Sequence, residues 1–185
     1  RRRIVPGAIM HLIQLKSTAV ARALGAVTVF LLCASVAGQL IKYRIGHDYV
    51  FGLVPLFYVD EERNIPTFFS VLLLCGAAML LAVITVLKKR EKDSDVSGWA
   101  ALAFGFLFMA IDEASSIHEK LVVPFRELLG DGPLGIFYFA WVIPGIAVVL
   151  VLALVFLGFL KRLPARTRFS FLIAAFLYVG GALGL

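Results

Sequence analysis

An all-α, polytopic transmembrane helix bundle with at least five spans is the fold class this sequence predicts. Composition is the first reason. Of 185 residues, 61% are apolar and only 16% are Asp, Glu, Lys or Arg, against about 45–50% and about 25% in a soluble domain. Distribution is the second. The apolar residues gather in runs of 16 to 29 without a single charge, as membrane-crossing helices require. The third is that Lys and Arg sit between these runs, in alternating dense and sparse clusters. Together these exclude a soluble enzyme, a disordered tail and a disulfide scaffold. The net charge of +6 has a topological explanation, so no nucleic-acid partner is expected.

Each run is taken in order. Uncharged stretches cover 23–41, 65–87, 96–111, 132–160 and 169–185. Crossing ~30 Å of hydrocarbon at 1.5 Å per residue takes about 20 residues. The first, second and fourth runs satisfy this alone. The third does so only by taking Asp112 and Glu113 with it, and the fifth is short. The predicted spans are about 18–41, 65–87, 97–118, 135–160 and 169–185, within a single transmembrane domain over 1–185. Strands are a poor alternative, because the runs lack the apolar/polar alternation of a barrel and are long enough for helices. Residues ahead of the first span, with Arg1 to Arg3, Pro6, His11 and Lys16, read as an interfacial segment. The absence of an initiator Met and the stop inside an apolar run lead us to read both ends as cut.

Basic residues set the expected orientation. Thirteen lie on one side: Arg1, Arg2, Arg3, Lys16 and Arg22; Lys88, Lys89, Arg90 and Lys92; Lys161, Arg162, Arg166 and Arg168. Five lie on the other: Lys42, Arg44, Arg63, Lys120 and Arg126. The positive-inside rule puts the first group, and the N-terminus, in the cytoplasm. The acids segregate the opposite way, with Asp48, Asp60, Glu61, Glu62, Glu119, Glu127 and Asp131 outside. The outer loop 42–64 has an apolar, aromatic middle too short to span. It reads as an interfacial or re-entrant segment, with Tyr43, Tyr49, Phe51, Phe57 and Tyr58 at headgroup level.

One segment stands out chemically, AIDEASSIHEK from Ala110 to Lys120. Acids inside a span cost about 2.5–3.5 kcal/mol each on insertion scales, so they are usually functional or paired. At about 100° per residue, Asp112, Ser115, His118 and Glu119 share a helical stripe about 120° wide that rises about 10 Å. Glu113 falls on another face. The candidate polar site is therefore Asp112, Glu113, Ser115, His118 and Glu119. A divalent cation there would draw on Asp112, His118 and Glu119, with His47 and Asp48 from the loop. No paired Glu-x-x-His, HExxH or GxSxG motif is present, so no known metal or nucleophile signature applies. Cys33 and Cys75 lie inside the first and second spans and read as packing residues. Gly180 and Gly184 form a GxxxG pair suited to close helix packing.

The segments GHDYVFGLVPLFYVDEERNIPT (46–67), AIDEASSIHE (110–119) and LYVGGALG (177–184) resemble a group of uncharacterised bacterial multi-pass membrane proteins. The likeness runs in order along most of the chain. Relatives often carry Trp-Tyr where this chain has Phe68-Phe69, and they continue beyond the last glycines. The resemblance implies a multi-pass protein of the bacterial inner membrane and assigns no catalytic role to any residue. Three functional readings follow from the residues. The first is an outward-facing acidic site that binds a cation or relays protons. The second is a membrane-embedded metal-dependent hydrolase acting on lipid or a lipid-linked group. The third is a non-catalytic subunit, in a homo-oligomer or with another membrane partner.

Overall fold

The structure, a computed structural model, describes residues 16–120 and 142–184. Among these it is helical, with no strand. The elements are α1 (Ser17–Leu40), a π-helical turn (Ile41–Ile45), a 3-10 turn (Val50–Gly52), α2 (Leu53–Phe57), α3 (Ile65–Arg90), α4 (Val96–Ser115), α5 (Ile117–Lys120), α6 (Val142–Arg162) and α7 (Ala165–Gly184). Four helical stretches among the described residues are long and apolar enough to cross a membrane: Ser17–Ile45, Ile65–Arg90, Val96–Ser115 and Gly145–Arg162.

The fifth expected span is not among those four. Its residues do form a helix, α7. That helix opens with Arg166 and Arg168, and an uncharged run follows them. The interfacial segment before Lys16 and the opening of the predicted 135–160 span lie outside the described residues.

Chain contacts divide the protein into two compact units, residues 1–67 and 68–185. In the first, α2 packs along α1. Val54 is buried and its Cα lies 3.6 Å from where a Cβ on Gly38 would stand. The Phe57 ring meets Phe30 edge to face at 6.1 Å. One residue past Tyr58, the Val59 N–H donates to the buried Ser35 hydroxyl at 3.2 Å. The apolar middle of the loop is thus laid against its own helix, as an irregular segment among membrane helices must be. Asn64 then starts α3. Its Oδ1 accepts from the Thr67 N–H and Oγ1, both at 3.0 Å, and its Nδ2 donates to the Tyr58 and Glu61 carbonyls. An asparagine N-cap of this kind satisfies donors that the first helical turn leaves orphaned.

The second unit has an aromatic core. Leu81, Trp99, Phe159 and Leu163 are buried together, flanked by Phe106, Phe156 and Phe171. Trp99 stands edge-on to Phe159 at 5.2 Å, a favoured quadrupolar arrangement. This core sits beside the α3–α4 and α6–α7 connections. Polar ties close the same end. Lys88 pairs with Glu91 and Asp93, each at 3.0 Å. Arg162 donates through Nη2 and Nε to Asp95 Oδ1, at 2.6 and 2.7 Å. The Asp95 backbone N–H, and after it the Lys88 ammonium, hold the Asp93 carboxyl below its ordinary pKa. Away from these contacts the helices expose Met79, Leu80, Phe104, Leu154 and Phe176. Helices apolar on every face, and exposed there, suit lipid and not water.

Candidate functional site

α4 stops at Ser115, where the sequence predicts helix through His118. Ser116 adopts a left-handed conformation (φ 52°, ψ 45°) and its N–H caps the Asp112 carbonyl. It is 4% exposed. A buried non-glycine residue in this region is uncommon and needs support from its surroundings. Asp112 supplies that support. Its Oδ1 accepts from the His118 backbone N–H at 2.9 Å, and its Oδ2 lies 3.0 Å from His118 Nδ1. One carboxylate therefore caps the first turn of α5 and orients the imidazole that follows.

The predicted stripe changes accordingly. Asp112 and His118 meet because the helix breaks, not because of their helical spacing. Ser115 and Glu119, expected on the same face, are exposed. Glu113 is partly buried, with His118, Asp112 and the Ser70 side chain on α3 in electrostatic reach. The Tyr178 phenol on α7 is in reach of Glu113 and Asp112. Ser70, Glu113 and Tyr178 come from three different helices of the second unit. Each lies near the end of its helix remote from the aromatic core, where Asp112 also sits.

Ser70 and Tyr178 were not legible as site residues. Tyr178 belongs to the LYVGGALG segment, but a single phenol in an apolar run has no spacing signature. Among the described residues, no group of three or more His, Cys, Asp or Glu is gathered as a metal ion would need. His47 and Asp48 are exposed in the first unit. Cys33 and Cys75 are free thiols. A Cβ on Gly180 would meet nothing within 4 Å. In the loop, Lys42 Nζ stands 5.7 Å from the centroids of both Tyr43 and Tyr58. Tyr58 donates to Asp60 at 3.3 Å. Burial, and then the Asp60 carboxylate, push its phenol above the ordinary pKa.

The pattern of the family described as Domain of unknown function (DUF8692) matches residues 19–185. The chain belongs to this family. No curated protein and no solved structure matches it. Membership of DUF8692 agrees with the resemblance to an uncharacterised group, and the match takes in α1 through α7, with the loop and the Asp112–His118 break inside it.

Proposed function

We propose that this DUF8692 protein is a multi-pass protein of the bacterial inner membrane that takes up and relays protons at an outward-facing acidic site. The N-terminus is cytoplasmic, and α7 makes the fifth crossing. The observation that carries the reading is the contact of one carboxylate, Asp112, with both the ring and the backbone N–H of His118. A proton needs only a donor and an acceptor in contact, and this pair supplies both. Histidine is the side chain whose ordinary pKa lies nearest neutrality, so it exchanges protons with bulk water most readily. Glu113, Ser70 and Tyr178 extend the set of exchangeable groups across neighbouring helices. Acids on apolar helices are costly enough that they persist where they are paired or used.

The test is proton flux into proteoliposomes that hold a trapped pH dye, driven by a potassium diffusion potential. Wild-type protein should acidify the lumen, while Asp112→Asn and His118→Gln should each reduce the flux to that of empty vesicles. Equal flux in wild type and both variants removes the reading. A carboxyl band in infrared difference spectra of wild type that is missing in Asp112→Asn is the expected companion result.

A further inference from the structure

We propose that the turn 49–53 is a lipid-inserted wedge, which carries Phe51 into the outer-leaflet interface beside the end of α1. The proposal rests on the membrane reading above. Phe51 is 97% exposed, and Tyr43, Ile45 and Tyr49, close before it in the chain, are each more than half exposed. Such a cluster is costly in water and marks a surface with an apolar or amphipathic partner.

The backbone makes the same point independently. Val50, Phe51 and Gly52 follow one another at positive φ, at 36°, 56° and 81°. Only the glycine adopts this region readily, and a β-branched residue there is a genuine outlier. Strain of this kind persists where the rest of the structure over-determines it. Here it does. The Gly52 N–H donates to the Tyr49 carbonyl at 2.8 Å, and the Tyr49 ring folds over Gly52, with its Oη 3.5 Å from where a Cβ would stand. Behind the turn, Val54, Phe57 and Val59 fasten it to Gly38, Phe30 and Ser35 of α1. A tightly closed turn, fixed to an apolar helix, holds a phenylalanine outward at a conformational cost.

The bilayer is the occupant that the surroundings favour. The turn is continuous with a stretch, Ser17–Ile45, long and apolar enough to cross a membrane. Tyr43 and Tyr49 are the residue type that collects at headgroup level. Lys42 and Arg44, basic residues that phosphate groups would attract, lie between α1 and the turn in the chain, and the Lys42 ammonium is held over the Tyr43 and Tyr58 rings. A water-soluble protein partner has no comparable support, and a turn held in water for one would be quenched by iodide and not by doxyl lipid.

In a Cys33→Ser, Cys75→Ser background, single cysteines at Phe51→Cys and Val29→Cys are labelled with an environment-sensitive NBD fluorophore. Val29 is 61% exposed midway along α1. The labelled proteins are reconstituted in phosphatidylcholine–phosphatidylglycerol vesicles, and quenching is read with shallow doxyl lipid, deep doxyl lipid and aqueous iodide. The label at 51 should be blue-shifted, quenched best by shallow doxyl lipid and shielded from iodide. The label at 29 should be quenched best by deep doxyl lipid. Iodide quenching at 51 with doxyl lipids silent there, while 29 keeps its deep quenching, overturns the wedge and leaves the membrane reading standing. Iodide quenching at 29 overturns both. Leu53→Cys, at a residue 51% exposed in the same turn and expected to behave as 51 does, repeats the measurement with Phe51 and Tyr49 both in place.

Discussion

Asp112 divides two tasks between its two carboxylate oxygens. Oδ1 holds the His118 backbone N–H and so caps α5, while Oδ2 holds the imidazole. Substitution can separate the tasks. Asn keeps an oxygen acceptor for the N–H and gives up the charge. Leu gives up both and leaves the α5 donor orphaned. Losing a helix-capping acceptor typically costs about 1 kcal/mol, so Asp112→Leu should fold but unfold earlier than Asp112→Asn by that amount. Thermal unfolding of detergent-solubilised protein gives the comparison. Equal destabilisation by Asn and Leu would mean that the charge, and not the acceptor, holds the break. Sequence reasoning finds Asp112, Glu113 and His118 because ionisable groups in an apolar run are conspicuous on cost alone. It cannot find the break, because Ser116 in a left-handed conformation has none of the glycine signal that usually announces one. The Asn64 cap was open to discovery, since Asn followed by Ile-Pro-Thr has an N-cap side chain and an early proline where a helix begins.

At the scale of elements, hydrophobic run length is enough to locate the helices. The first predicted span, 18–41, appears as α1 at Ser17–Leu40, and the second as α3 at Ile65–Arg90. Run length says nothing of which helices come near one another, and it could not place Ser70 and Tyr178 within electrostatic reach of Glu113. Gly98 shows what such contacts demand. It opens α4 against the core, and a Cβ there would overlap the Phe159 ring, with Cε2 at 2.7 Å and Cγ at 2.9 Å. The ring cannot retreat easily, because Trp99 and Phe156 stand edge-on to it at 5.2 and 6.0 Å. Forcing a methyl into a packed core costs about 1–3 kcal/mol. Gly98→Ala should therefore destabilise the protein by that much in denaturant titration. Adding Phe159→Leu, which makes room, should leave the double variant more stable than the sum of the single losses. Strict additivity would show that the two residues do not meet.

Across the whole molecule, charge is the organising feature. The end of the second unit closed by the aromatic core collects Lys88, Lys89, Arg90, Lys92, Lys161, Arg162, Arg166 and Arg168. Its three acids are all engaged by those bases: Glu91 and Asp93 by Lys88, and Asp95 by Arg162. The acids there therefore neutralise little of the basic excess, and they fasten the connections that the bases flank. Orientation in a membrane follows Lys and Arg in short loops, with acids contributing little. That end is expected in the cytoplasm, and the Asp112–His118 break, near the opposite end of α4, is expected outside. Impermeant thiol reagents test this directly in intact cells. Single cysteines at Ser94, Arg166 and Asp60, all exposed positions, are placed in a background lacking Cys33 and Cys75. Only the cysteine at 60 should react before the membrane is permeabilised, and all three should react afterwards. Labelling at 94 from outside would reverse the orientation. The acidic break would then face the cytoplasm, and the direction of any proton uptake through it would reverse as well.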